Sequence, residues 1–317
     1  MLTQEKLKPD WAGEDILSRF VNILINNKSI YKVMKYQARQ VLITTAEKNG
    51  IPWRKNREEL EKSSAKQAFE LINDPNLVYP DYYQVPFHAY DRGNLCWEAA
   101  FEAISATQAM YLRIWRNEPI TWSEAETRLR GSFYQVLAQY SPKVVNDILD
   151  LGCSVGISTL SVHRYFSEQQ NHPIRTIGLD LSPYMLAVAQ VSDRDREISQ
   201  WMHRLAENTG LPDNSIDVIT LQLVIHELPR HATQKIFQEA LRILRPGGAL
   251  AIIDNDPSSP VIQNLPPALF ILMKSTEPWS DDYYTFNVEE ALQATGFDYK
   301  ATVATDPRHR TIIGIKP

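Results

Sequence analysis

Between Ile16 and about Ala46 the apolar residues Phe20, Ile23, Leu24, Ile30, Val33, Met34, Val41 and Leu42 recur at threes and fours, the spacing of one helix face. The polar pair Asn26-Asn27 interrupts the pattern and predicts two helices rather than one. Residues 55–71 (KNREELEKSSAKQAFEL) repeat the period with one strongly charged side, which predicts a third helix with a solvated face. Residues 98–115 and 123–140 predict two more. No strand alternation occurs before about Tyr140, so residues 1–140 read as a helical N-terminal cap or substrate region. Within it, residues 78–97 (VYPDYYQVPFHAYDRGNLCW) have no period and are rich in rings and turn formers, which predicts a loop.

Past Ser141-Pro142 short β-branched runs alternate with helical stretches. Strands are predicted at 144–151, 176–180, 202–206, 218–224, 249–254, 299–305 and 311–315, and helices at 157–166, 183–191, 231–244 and 288–295. Strand–helix alternation closing on a strand hairpin predicts an α/β class. The expected architecture is a Rossmann-like, doubly wound sheet of seven strands, mostly parallel with one antiparallel strand, over residues 141–317. An insertion at about 255–286 is longer than a simple connection.

Composition narrows the partners. With 44% hydrophobic residues over 317 positions the chain can bury a sizeable core, while a net charge of -5 and a pI near 5.9 argue against nucleic acid. No window approaches the ~20 apolar residues of a membrane span, so no integral membrane segment is expected, and peripheral contact through the cap stays open. The opening MLTQEKLKPDWAGED lacks the apolar core of a leader. Cys96 and Cys153 lie far apart with no ligand cluster, which predicts neither a disulfide framework nor a thiolate zinc site and fits a cytoplasmic setting.

The stretch DILDLGCSVGIST, residues 147–159, joins an apolar strand to small residues, with Asp150 at the join. Gly152, Ser154 and Gly156 let a ligand approach the backbone, and the following helix presents its amides to an anion. Asp150 disfavours a phosphate there and favours an ammonium or a hydroxyl donor, so the ligand should carry both signs. A dinucleotide fingerprint is not met, because Ser154 and Ile157 stand where its second and third glycines belong. Asp180 ends the second strand at the distance suited to ribose hydroxyls. A nucleoside joined to an amino-acid zwitterion matches S-adenosylmethionine.

The run from Asp150 to Gly156 followed by Asp180-Leu-Ser-Pro183 resembles the class I S-adenosylmethionine-dependent methyltransferase family. AENTGLPDNSIDVI (206–219) and ALRILRPGGALAIID (240–254) are similar to its segments around the fourth and fifth strands. The resemblance implies that Asp150 and the amides from Gly152 to Gly156 hold the methionine end, that Asp180 holds the ribose, and that Leu181, Ala206 and Glu207 lie near adenine. Gln222, at the end of the fourth strand, joins the cofactor side. Ser154 replaces a usual glycine, and Leu205 stands where many relatives carry an acid.

In LQLVIHELPRH (221–231), His226 matches the position of the general base in plant-type small-molecule O-methyltransferases, and a neutral imidazole accepts a phenolic or enolic proton near pH 7. The alternative is a supporting role. Tyr83, His88, Tyr90 and Trp97 of the aromatic loop either cover an acceptor or staple the cap to the sheet, and Trp279 and Tyr283 of the insertion are candidates for the acceptor pocket. Asp254 and Asp256 lack a third ligand, so no metal is expected. The expected function is methyl transfer to a small aromatic or apolar acceptor. The alternatives are a protein or RNA methyltransferase, which needs a wide basic groove, or a non-catalytic cofactor-binding regulator.

Overall fold

The computed structural model describes residues 16–88 and 90–317, and the mixed-charge opening lies outside them. A central sheet carries a hydrophobic core on each of its faces. The chain begins with α1 (Ile16–Asn26) and α2 (Lys28–Lys48), separated where Asn27 caps the second helix by accepting the amide of Ile30. The single helix expected over 55–71 is two, α3 (Trp53–Lys62) and α4 (Ala65–Ile72). Ser63 breaks it: its hydroxyl donates to the Leu60 carbonyl at 2.7 Å and accepts the Ala65 amide at 3.2 Å. Such local bonding competes with a continuous helix, and the bend lets Ala65 and Ala68 pack inward. After the aromatic loop come α5 (Trp97–Ile114) and α6 (Trp122–Tyr140), the latter opened by a capping box between Thr121 and Glu124.

The sheet contains β1 (Asp147–Leu151), β2 (Arg175–Asp180), β3 (Gln200–His203), β4 (Ile216–Gln222), β5 (Leu244–Asn255), β6 (Asp298–Ala304) and β7 (His309–Ile315). Its order is β3-β2-β1-β4-β5-β7-β6, with β7 antiparallel to both neighbours. Strand alternation divides the side chains cleanly. Leu149, Leu151, Ile219, Leu221, Leu250 and Ile252 pack under α9 (Arg230–Ile243) and α13 (Val288–Thr295). Ile148, Val218, Ala249, Ala251 and Ile253 pack on the other face against α6 and α7 (Ile157–Gln169). Leu129, Phe133 and Leu137 place α6 in this core, so the helices ahead of residue 141 include one layer of the sheet sandwich. Outermost, α8 (Pro183–Ser192) packs against α4. The insertion after β5 folds as α10 (Pro260–Gln263), α11 (Pro267–Lys274) and α12 (Ser280–Tyr284).

Strand order reverses between β2-β1 and β4-β5, which puts the topological switch point at the carboxyl end of β1. Asp150 pairs in register with Gly178 on one side and Thr220 on the other. Three strand ends, those of β1, β2 and β4, thus converge on one crevice.

Candidate active site

Asp150 points into the protein and is 1% exposed. It accepts hydrogen bonds from Ser158 at 2.6 Å, Thr159 at 2.8 Å and Thr220 at 2.5 Å. Burial raises its pKa while the three hydroxyls lower it. A carboxylate has about four acceptor sites, so one remains. The glycine loop bonds inward as well: the amides of Gly152 and Cys153 donate to the Leu179 carbonyl, and that of Ser154 donates to Asp180 at 2.8 Å. Gly152 has a φ of +71°, and a Cβ there would meet Val224 at 2.7 Å, so the position tolerates only glycine. Ser154 and Leu223 also sit at positive φ, +49° and +62°. For a branched residue such as Leu223 that is uncommon, and strained backbone gathers at functional crevices.

Asp180 also accepts the Ser182 amide at 2.7 Å, and burial raises it to about 6 against these two amide bonds, with Asp150 adding repulsion. Leu181 is buried beside it, its carbonyl 3.1 Å from Nε2 of His203. Ala206 and Glu207 are half-buried on the next strand end, where Glu207 accepts the hydroxyl of Tyr82.

A basic group that sequence reasoning missed completes this end. Arg130, on α6, is 6% exposed; it donates to Gln222 and, at 2.8 Å, to the hydroxyl of Tyr111. Its Nε is buried without a partner, and among the described residues no carboxylate pairs with it. A guanidinium is always charged, and a buried charge without a counter-ion is costly. The site therefore presents a cation ready for an anionic ligand, beside Asp150, whose charge it stabilises. The signal was present: Arg130 lies on the same helix face as Tyr134 and Leu137, a cation on an apolar stripe.

Toward α12 the crevice holds a second group. His226 Nδ1 lies 2.7 Å from Asp254, which is 1% exposed and also accepts the amides of His226 and Asn255. Burial alone would lower His226, but the charge and hydrogen bond of Asp254 outweigh it and lift the imidazole to about 9. The expectation of a neutral imidazole near pH 7 is thereby corrected: the pair is charged there. Glu227 is pushed up to about 8 by burial, against the pull of His226. His88, at a φ of +47°, is pushed down to about 3 by burial and by the charge of His226. His88 Nε2 and Glu227 lie 3.9 Å apart, and their side chains keep 43% and 24% exposure although protein surrounds both. These groups line a solvent-accessible part of the crevice, and Tyr83 lies beside them, its pKa raised by burial and then by Asp180 and Glu227.

The shift of Glu227 has a stability consequence. An acid with a folded pKa near 8 and an ordinary value of 4.5 binds its proton more tightly when folded. Its cost is absent below pH 4.5, grows with rising pH and is complete above 8. Glu227→Gln is expected to raise the Tm relative to the parent above that pH, by the equivalent of a few kcal/mol at most, and to leave it nearly unchanged near pH 5. Equal shifts at both would contradict the assignment.

Not every expected residue faces this part of the crevice. Tyr90 bonds Glu102 of α5 at 2.7 Å, and Trp97 stacks on Phe101 and meets Phe69 and Tyr184, so Tyr90 ties the loop to α5 and Trp97 ties the cap to α8. Tyr283 is 2% exposed, edge-on to His226 with its hydroxyl on the Asn255 carbonyl, so it stands behind the imidazole. Trp279 donates to the Tyr82 carbonyl at 3.2 Å and locks the insertion to the aromatic loop. Among the described residues no His, Cys, Asp and Glu group is arranged to hold a metal. Two open clefts of about 480 and 780 Å³ lie elsewhere, beside α3 and α5 and between α4 and α8.

Residues 149–252 match the Methyltransferase domain family. A demethylmenaquinone methyltransferase from Oceanobacillus iheyensis is 27% identical over 132 residues, 41% of this chain and 52% of its own length. An arsenite methyltransferase from Halobacterium salinarum is 31% identical over 110 residues, 34% of this chain and 26% of its own length. The chain spans about half or less of the curated relatives it matches. A solved S-adenosylmethionine-dependent methyltransferase from Aquifex aeolicus is 19% identical, covering 65% of this chain and 98% of its own, with a TM-score of 0.46. Residues 149–252, with the acid–glycine loop at the switch point of the seven-stranded sheet, thus form a methyltransferase domain of the class I S-adenosylmethionine-dependent kind.

Proposed function

We propose that this protein transfers a methyl group from S-adenosylmethionine to a small aromatic or apolar acceptor held in the crevice beside Tyr83, His88, His226 and Glu227. The carrying observation is the presence in one crevice of two unlike sites: a zwitterion-ready end at Asp150 and Arg130, and an acid–base end governed by the His226–Asp254 pair. The residues fit the cofactor. The orphaned Nε of buried Arg130 suits its carboxylate, the remaining acceptor site of Asp150 and the amide of Gln222 suit its ammonium, and Asp180 suits its ribose. Leu181 and Ala206 offer apolar contact to adenine. When bound, the cofactor supplies an electrophilic methyl on a sulfonium.

The chain's own part is alignment, water exclusion and control of the acceptor's proton. Asp254 fixes the imidazole of His226 through Nδ1, which leaves Nε2 for the acceptor. In its charged form His226 stabilises an oxyanion on the acceptor; once deprotonated it takes the acceptor's proton. Glu227 in its protonated form and neutral His88 leave this part of the crevice without a net charge, which favours an uncharged ring system over an ionic acceptor. The helices ahead of residue 141 serve as the acceptor-covering region.

The relatives' names contain two acceptors, a demethylmenaquinone and arsenite. The aromatic, oxygen-directed crevice favours a ring acceptor. Arsenite is thiophilic, and Cys153 is buried in the glycine loop while the thiol of Cys96 points to the Gly93 carbonyl, which disfavours it. An RNA substrate is disfavoured by the chain's net charge of -5. With its two free cysteines and no helix among the described residues able to cross a membrane, a cytoplasmic setting fits best. The test is single-turnover methylation of a panel of hydroxyaromatic and quinol acceptors, with radioactive cofactor. Transfer to a ring acceptor and none to arsenite supports the reading; cofactor binding with no transfer to any acceptor supports the regulator instead.

A further inference from the structure

The hairpin of α1 and α2 turns apolar side chains to solvent. A surface helix normally turns its apolar stripe onto the protein and its charges to water. On α2, however, Lys35 and Arg39 face inward: Lys35 pairs with Asp91 at 3.0 Å, and Arg39 with Glu98 at 2.8 Å and with buried Glu102. Their side chains are 18% and 23% exposed, whereas Val33 and Val41 on the opposite face are 61% and 65% exposed. On α1, Ile16, Phe20 and Ile23, spaced as one helix face, are exposed too. Of thirteen exposed large hydrophobics among the described residues, eight lie between Ile16 and Val41. An apolar patch of this extent marks a contact surface.

Charge selects what covers it. Residues 16–46 contain five Lys or Arg and no Asp or Glu, in a chain whose net charge is -5, and Arg19 and Lys32 are exposed on the hairpin. Apolar residues flanked by cations suit an anionic lipid surface. A second copy of the chain is disfavoured, because a two-fold contact would set the same cations against each other.

We propose that the α1–α2 hairpin docks on an anionic phospholipid bilayer, with its exposed apolar stripe entering the boundary between headgroups and acyl chains. The hairpin is tied to the crevice wall: the hydroxyl of Tyr31 donates to the carbonyl of Ser275 at 2.7 Å, and the neighbouring Thr276 carbonyl accepts the His88 amide at 2.9 Å. Docking therefore brings the insertion and the His88 side of the crevice beside the bilayer, where an apolar acceptor would be dissolved. The docking is testable whether or not the acceptor reading holds.

The experiment is flotation of the full chain with phosphatidylcholine vesicles, with and without phosphatidylglycerol. The parent protein is expected to float with the anionic vesicles at least about tenfold better than with the neutral ones, and less so in high salt. Phe20→Glu/Val33→Glu is expected to abolish flotation, and Arg19→Gln/Lys32→Gln to weaken it about tenfold on anionic vesicles only. All these positions are exposed, so circular dichroism melts should match the parent. No flotation of the parent with anionic vesicles overturns the proposal, as does undiminished flotation of Phe20→Glu/Val33→Glu. A dimer in light scattering that Phe20→Glu/Val33→Glu splits also overturns it, in favour of a second copy on this face.

Discussion

Arg130→Met is expected to weaken binding of S-adenosylhomocysteine by about 100-fold, while binding of 5′-methylthioadenosine, which lacks the amino-acid end, changes less than about twofold. The difference isolates the carboxylate. Arg130 is buried, keeps an unpartnered Nε and has no acid in contact among the described residues. A charge-assisted pair in such surroundings accounts for a few kcal/mol. The same substitution removes a charge that favours ionised Asp150, so a modest loss of stability of the ligand-free protein is expected beside the binding effect. Calorimetry on both ligands, with a thermal melt alongside, separates the cases. Equal losses for the two ligands, or none, would remove Arg130 from the cofactor end.

For His226→Ala turnover should fall by about 10²–10⁴-fold. The pH dependence is the sharper readout. In the free protein His226 titrates at about 9, so kcat/KM should rise with pH through that value as the imidazole becomes able to take a proton. Asp254→Asn removes the negative charge that holds the proton on His226. The rising limb should then move to lower pH, with lower turnover because the ring is no longer oriented. His226→Ala with parent-like turnover across the neutral and alkaline range would exclude the residue as base or oxyanion partner. A limb that stays in place in Asp254→Asn would show that another group is titrating.

Much of this arrangement was legible in the chain because the signals are local. The β1 acid, the small-residue bend and Asp180 at the end of β2 each sit within one strand–turn unit. The break at Ser63 was hidden, since the helical period runs through it and only the hydroxyl's bonds to Leu60 and Ala65 reveal it. For Arg130 the cation on an apolar stripe was visible but its role was not: its partner Gln222 is 92 positions away, and nothing local shows which buried polar group α6 will meet. His226 and Asp254 were both singled out as residues, yet their pairing depends on β4 and β5 lying side by side, and that pairing reverses the expected charge of the imidazole. The aromatic residues divide likewise by long-range packing. Trp97 and Tyr90 turned to α8 and α5, whereas Tyr83 and His88 from the same loop turned to the crevice.

The central claim is that the switch-point crevice binds S-adenosylmethionine through Arg130, Asp150 and Asp180. Its most direct measurement is isothermal titration of the purified chain with S-adenosylhomocysteine, alongside Asp180→Ala. Saturable one-to-one binding by the parent, weakened at least about tenfold in Asp180→Ala, is the expected result. Absence of saturable binding by the folded parent chain would contradict it.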